Sequence, residues 1–333
     1  MSHATFAADW ERIGVRQRRR GLPVCLEVAG RAAVSELAFF AINLDRSPER
    51  WAEIERLFGD MPWPLHRVRA VDAREPEAVL AVRGQRMASP PNGIGQNLLR
   101  YRTFTLVEEA CFASHILALK TFLASKYTYA VILEDDAVPA EGSVAGLVGA
   151  LRQLASGSLA FDLVKIEGSR RSGRRLAVEI ADLGRAKLVR SLRPCSGGAA
   201  YLVTRDAARR MIEKAGALTL PVDDFLSNPG LHGCDVMHLS PWLIVQSGAR
   251  STMRGMRRPH HTLVMGDPSH LVGQGLRRAG LRIALWARAL KGFPASLAGL
   301  YRAPWLSPDT PRRKKHMSAR SRGHSAAGNS AKV

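Results

Sequence analysis

Two groups of carboxylates in this chain have the types and spacing to do chemistry. Glu134-Asp135-Asp136 closes the apolar run Tyr129-Ala130-Val131-Ile132-Leu133, and Asp223-Asp224 follows Pro221-Val222 about 90 residues later. Three adjacent carboxylates repel one another unless positive charge sits among them. A hard divalent cation takes such oxygens, and a phosphorylated substrate would bind through it. The run before them has the length and β-branched content of a buried strand. In an open α/β sheet the carboxyl ends of strands are where ligands gather. A solvated acidic turn or a helix start is the competing reading of the triplet. The two clusters together suit a divided task. One would hold a metal on a diphosphate and neutralise the leaving group. The other would take the proton from an attacking hydroxyl. One cluster does both poorly, because a bound cation lowers the basicity of its carboxylates. For Asp223-Asp224 the competing reading is a helix cap after Pro221-Val222.

Other polar residues are less pointed. Cys111 and His115 are four apart and share a helix face, which suits either a site or simple packing. His232 and His238 follow the second acidic cluster, as loop histidines or as part of a metal shell. Lys165, at the end of a short strand, suits a phosphate or plain solvent.

The elements that must position these residues alternate in type. A strand is expected over residues 37–44. A helix from Pro48 to about Phe58 follows it, with Ser47 as cap and Pro48 in the first turn. A second strand spans 66–72. Residues 84–105 are rich in Gly, Pro and Asn and read as a long loop. A helix over 106–125 repeats Leu106, Ala110, Ala113 and Leu117 at helical spacing. The acidic strand comes next, then a helix over 142–155 and a strand over 162–166. Residues 169–190 are polar and basic, a mobile loop or a hairpin. A strand over 198–203 leads to a helix over 206–215, capped by Thr204 and ended by Gly216. A last strand covers 238–245. Such alternation predicts an α/β fold, a mostly parallel sheet covered by helices on both faces.

Composition sets the limits. A chain of 333 residues with 46% hydrophobic content buries a real core. No apolar stretch reaches the roughly 18 residues of a membrane span. The N-terminus lacks the apolar core of a secretory signal, so a cytoplasmic location is expected. The cysteines Cys25, Cys111, Cys195 and Cys234 form no CxxC pair, which argues against a structural zinc site. The net charge of +20 is unevenly placed: residues 250–333 hold 17 Lys and Arg against 2 Asp and Glu, so +15 of it lies there. That argues for a basic appendage and against a nucleic-acid-binding core. A basic, non-catalytic protein that binds anionic membrane or nucleic acid through this segment is the alternative reading of the chain.

The chain resembles glycosyltransferase family 25, the lipopolysaccharide-biosynthesis β-galactosyltransferases and related collagen-modifying enzymes, from about Phe39 to Gln246. The resemblance rests on Ile42-Asn43-Leu44-Asp45-Arg46 with Arg50, and on Arg67-Val68-Arg69-Ala70-Val71-Asp72. It continues through Glu109-Ala110-Cys111 with Ser114-His115, Leu133-Glu134-Asp135-Asp136, Gly198-Ala199-Ala200-Tyr201-Leu202-Val203 and Pro221-Val222-Asp223. One departure is Ala110, where the family usually has Gly.

The resemblance implies a GT-A-like fold, a UDP-sugar donor, a divalent cation (Mn²⁺ or Mg²⁺) and inversion at the anomeric carbon. It implies a UDP-hexose, with galactose favoured, and a glycan or glycolipid acceptor; no nucleic acid is expected as a partner, since the two acidic clusters would repel phosphates without a metal. Carried over by position, Glu134 and Asp136 are the metal-site acids, while Asp135 turns to the other side as strand neighbours do. Asn43, Arg46 and Asp72 form a nucleotide-binding rim, and Glu109 and His115 lie on a helix near the donor. Asp223 is the general base, with Asp224 as the alternative. The expected organisation is an N-terminal extension (1–36), a catalytic domain (37–250), a basic and partly helical appendage (251–305) and a disordered basic tail (306–333).

In the appendage, Leu276, Ala279, Ile283, Trp286, Ala287 and Leu290 fall on one face of a helix over 276–290. Arg277, Arg278, Arg282, Arg288 and Lys291 fall outside it, and Leu281 and Leu285 break the pattern. A basic amphipathic helix suits an anionic membrane surface on the inner face of the plasma membrane. The competing reading packs it on the catalytic domain.

Overall fold

The computed structural model describes residues 36–83, 95–96, 103–167, 174–191, 194–216, 218–247 and 300–304, with 276, 279–284 and 287 between them. The expected N-terminal extension and basic tail lie outside these residues, apart from Glu36, as does most of the loop expected at 84–105.

In chain order the elements begin with β1 (Leu37–Asn43), α1 (Pro48–Phe58), β2 (Leu65–Arg69), α2 (Pro76–Arg83), β3 (Gly95–Gln96), β4 (Thr103–Phe104) and α3 (Leu106–Ala124). Then come β5 (Tyr129–Glu134), β6 (Ala137–Pro139), α4 (Val144–Ala155), β7 (Leu163–Lys165), β8 (Arg174–Asp182), β9 (Lys187–Ser191) and β10 (Ala200–Thr204). The series closes with α5 (Arg205–Ala215), α6 (Val222–Leu226), α7 (Pro229–His232), β11 (Val236–Ser240), β12 (Ile244–Gln246) and β13 (Leu300–Pro304). The expected strand over 238–245 is two strands in different sheets, parted at Ser240-Pro241. Proline has no N–H to give a ladder. Residues 174–191 form the β8–β9 hairpin.

Local chemistry explains the helix ends. Thr105 and Glu108 form a reciprocal capping box at the start of α3. The Thr204 hydroxyl accepts from the N–H of Ala207 and opens α5. Ser47 does stand before α1, but its side chain makes no capping bond. Its carbonyl instead accepts from the amide of Asn43, at 3.0 Å.

The main sheet has nine strands in the order β13-β8-β9-β11-β7-β10-β5-β1-β2. It is mixed. The β2–β1, β1–β5 and β7–β11 pairs are parallel and the others antiparallel. Following the pairs across the sheet, β10, β9 and β13 run against the remaining six strands. β1 is buried on both faces, which is why it reads as an unbroken apolar run.

Helices cover both faces, and alternation along β1 and β5 sorts the core into two layers. Phe40, Ile42, Ala130 and Ile132 meet α3, α5 and α6 on one face. Phe39, Ala41, Val131 and Leu133 meet α1 and α4 on the other. Buried residues surround α3. The apolar face read from Leu106, Ala110, Ala113 and Leu117 is therefore only part of its buried surface. No helix among the described residues is long and apolar enough to cross a membrane.

Candidate active site

Strand parity builds the site. On β5, Ala130 and Ile132 point to the α3 layer, so Glu134 points there too. On β7, Leu163 points to that layer, and Lys165 and Glu167 continue its parity. Tyr201 of β10, which lies between β5 and β7, also joins it. The carboxyl ends of β5 and β7 thus aim Glu134, Lys165 and Glu167 beneath α3. Between them enters residues 194–198, the approach to β10.

Glu134 Oε1 lies 3.2 Å from His115 Nε2, and His115 Nδ1 lies 3.1 Å from the Tyr201 hydroxyl. A carboxylate only accepts, so Nε2 carries the proton and Nδ1 accepts from Tyr201. The two rings stack, with centroids 5.8 Å apart and planes at 15°. His115 therefore fixes the orientation of Glu134. Glu109 is buried in the first turn of the same helix. Six residues before His115, it lies on a different side of α3.

Asp136 and Glu167 are poorly served by protein donors. Asp136 Oδ1 and Glu167 Oε2 are buried and have no hydrogen-bond partner among the described residues. Burial, then the charges of Glu134 and Asp135, push the Asp136 carboxyl up to about 7, against the pull of Arg50. Burial also pushes Glu167 up to about 7. Lys165 and the N–H of Ala199 oppose that rise, and Glu134 and Asp136 add to it.

Asp135 turns the other way. It accepts from Asn43 Nδ2 at 2.9 Å and from Arg50 at 2.8 Å. Asn43 is buried, and its side-chain Oδ1 accepts two bonds from Arg67, at 3.0 and 2.8 Å. Arg46 pairs with Asp72 at 2.7 Å, and Asp45 pairs with Arg67 and Arg69 at 2.9 and 2.7 Å. Burial pushes the Asp72 carboxyl up, but the N–H of Arg74 and the Arg46 guanidinium hold it below the usual range. Asn43, Arg46 and Asp72 do gather at the ends of β1 and β2. Asn43 acts there as an internal tie, not as a surface contact.

Asp223 and Asp224 lie in the first turn of α6, after Pro221 in the capping position. Asp223 accepts from the Ser196 hydroxyl at 2.7 Å and from the N–H of Asp224 at 2.9 Å. Asp224 is the more buried of the two. Lys165 is fully buried and donates to the carbonyls of Cys195 and Gly197. Burial pushes its ammonium below the ordinary lysine range, while the charges of Glu167, Asp223 and Glu134 support it. One lysine thus ties the 195–197 turn between the two acidic clusters. His232 and His238 are buried rather than in open loops. The His232 ring accepts from the N–H of Cys234 at 3.1 Å, and burial pushes it down to about 4.

The glycines of that turn are a matter of space. Gly197 has φ +139°, and a Cβ there would stand 2.6 Å from Glu167 Oε2. A Cβ on Gly198 would stand 3.1 Å from Glu134 Oε1. Backbone rather than side chain roofs the acids. Sequence reasoning left Lys165 unassigned and missed Glu167, Ser196 and Gly197. The signals for them were the shared parity of Lys165 and Glu167 and the paired glycines after Ser196.

Residues 37–154 match the model of glycosyltransferase family 25 (LPS biosynthesis protein). No curated protein matches the chain. A solved structure, the crystal structure of A197 from STIV, aligns over 62% of this chain and 83% of its own length, at 14% identity and a TM-score of 0.30. At that level the likeness carries no argument.

The family 25 match contains Asn43, Arg46, Asp72, Glu109, His115, Glu134 and Asp136, and ends before Lys165, Glu167, Asp223 and Asp224. A divalent cation of the kind the resemblance implies suits the donor set. Carboxylates are ligands of the hard class, and two of the three have an oxygen lacking a donor, although among the described residues the oxygens of Glu134, Asp136 and Glu167 do not gather within 4.8 Å of one another.

Proposed function

We propose that the chain is a metal-dependent, inverting glycosyltransferase. It moves a hexose, galactose on the family resemblance, from a UDP-sugar to a hydroxyl of a lipopolysaccharide-type glycan. The family 25 match supports the transferase class and the lipopolysaccharide setting. The reading is carried by one observation, the two buried carboxylate oxygens of Asp136 and Glu167 that meet no protein donor beside Glu134.

In this reading the fold is GT-A-like and residues 37–250 form the catalytic domain. Glu134, Asp136 and Glu167 would hold Mn²⁺ or Mg²⁺, which would supply stabilisation of the charge developing on the departing UDP. His115 keeps Glu134 turned toward the site. Arg46 and Asp72 line the nucleotide rim, with Asn43 behind them and Glu109 supporting α3. Asp223 takes the acceptor's proton as the hydroxyl oxygen bonds to the anomeric carbon. The bond from that carbon to the diphosphate breaks, and UDP leaves with its electron pair. Asp223 is preferred to Asp224 because it is less buried and its carboxylate is steadied by Ser196.

The chain works at the inner face of the plasma membrane. In the appendage Leu281 packs against the core, while Leu276 and Ile283, seven residues apart, are 70% and 67% exposed. One side of that helix rests on the domain and leaves an apolar pair for the lipid boundary.

The test is transfer from a panel of UDP-sugars to a lipopolysaccharide acceptor, with and without Mn²⁺, beside calorimetry of UDP. Metal-dependent UDP binding and transfer are expected. Neither binding nor turnover with metal present would sink the reading.

A further inference from the structure

We propose that Cys111, His115 and Glu134 form a second metal site, suited to zinc, that shares Glu134 with the oxygen-lined site. The ligand atoms of these three residues lie within 4.8 Å of one another. Zinc bonds of about 2.0 to 2.3 Å set tetrahedral ligands roughly 3.3 to 3.8 Å apart, so a small contraction closes the set around an ion. The placement follows from the fold. Cys111 and His115 are one turn apart on α3, and that side of the helix lies over the end of β5, where Glu134 stands.

The surroundings of His115 suit the task. A metal-bound imidazole donates its other N–H to an oxygen, which fixes the ring. Here Nδ1 already faces the Tyr201 hydroxyl and the ring is stacked on Tyr201. On binding, His115 exchanges tautomers. The Nε2 proton is lost and Nδ1 gains one, so the ring stays neutral and its bond with Tyr201 reverses direction. The Cys111 thiol gives its proton to solvent. The described cysteines, Cys111 included, form no disulfide, and Cys111 is only half-buried, within reach of an ion from solvent.

A thiolate, an imidazole and one carboxylate select zinc over Mn²⁺ or Mg²⁺. Three protein ligands leave a fourth position open, as in exchangeable sites. An ion here draws Glu134 away from Asp136 and Glu167, so zinc opposes the hard cation instead of replacing it. That consequence for transfer rests on the function proposed above. The site itself does not.

Binding is tested on the full chain with Co²⁺, whose bond to a thiolate gives a charge-transfer band in the near ultraviolet. The wild-type protein should show the band at one ion per chain, and Zn²⁺ should erase it. Cys111→Ser, with Cys25, Cys195 and Cys234 intact, should lose the band. His115→Gln should weaken Co²⁺ binding at least tenfold, and Tyr201→Phe by about tenfold. Circular dichroism identifies any variant that has not folded, and Cys111→Ala then takes the place of Cys111→Ser. A wild-type protein without the band, or a folded Cys111 variant that keeps it, overturns the proposal. In the transfer assay with Mn²⁺, Zn²⁺ should inhibit the wild type, and Cys111→Ser should resist inhibition with its basal rate unchanged. If the band appears and no transfer is found with any donor, the site stands and the proposed activity fails.

Discussion

The rim at the ends of β1 and β2 and the pocket at the ends of β5 and β7 are both crowded with acids, yet they are balanced differently. On the rim side, Asp45, Asp72 and Asp135 each have an arginine at 2.7 to 2.9 Å, and Asn43 joins Asp135 to Arg67. In the pocket, the charges of Glu134, Glu167 and Asp223 act on one lysine, whose ammonium is already bonded to two backbone carbonyls. The first network is complete within the protein. The second holds buried oxygens left without a protein donor, which a cation or a proton would satisfy. Charge density alone does not mark a site. The mismatch between acceptors and donors does.

The sharpest way to break this contrast is to remove one pocket acid at a time. Asp136→Ala should abolish metal-dependent UDP binding and cut transfer by about a thousandfold or more, on the scale of losing a principal electrostatic stabiliser. Asp223→Ala should leave UDP binding intact and lower transfer by about 10² to 10⁴, the usual worth of a general base. Calorimetry and initial rates separate the two. Equal effects on binding would erase the division of labour between the clusters.

Glu167→Gln comes next. It keeps the shape and removes one charge, so metal affinity and transfer should fall by about 10- to 100-fold. The metal-free protein should become more stable above pH 7, read as a rise in Tm. No change in metal affinity would remove Glu167 from the ligand set.

A pH series has a smaller effect. Asp136 and Glu167 are raised to about 7 in the fold, from 3.8 and 4.5. Between those values the native state binds more protons than the unfolded chain, so stability falls as pH rises. His232, lowered to about 4 from 6.5, acts oppositely: the unfolded chain binds the extra proton, and stability falls as pH drops through that window. Metal-free melts should therefore lose Tm from pH 6 to pH 8, and saturating Mn²⁺ should cancel most of that loss. A metal-free Tm that climbs over this range would contradict the pocket's proposed proton load.

The rim gives the smallest expected effect. Arg50→Met removes a partner of Asp135 from a pair that is mostly buried. A cost of about 1 to 3 kcal/mol is expected from denaturant melts, as for a buried acceptor that loses its donor. A larger loss of UDP binding than of stability would move Arg50 from scaffold to ligand contact.

The sequence made parts of this legible and hid others, for physical reasons. The α1 start at Pro48, the Thr204 cap and the apolar run into Glu134 are local patterns, and each appears where its residues suggested. The opposite facing of Asp135 follows from strand alternation alone. Glu167 was hidden because its role depends on β7 lying beside β10, a pairing between segments far apart in sequence. Lys165 at a strand end looked like a solvent or phosphate contact, yet the 195–197 turn closes over it. The mixed direction of the sheet was also beyond local pattern, since β10 reads like any other strand.

The glycine roof has one more consequence. Because Gly197 and Gly198 bring bare backbone against Glu167 and Glu134, a single methyl group there is a wedge. Gly197→Ala keeps every ligand and every charge, while both its φ and its contact with Glu167 resist the added carbon. Such a variant uncouples the chemical identity of the site from its room, so it can tell whether the acids matter as charges or through the space they leave.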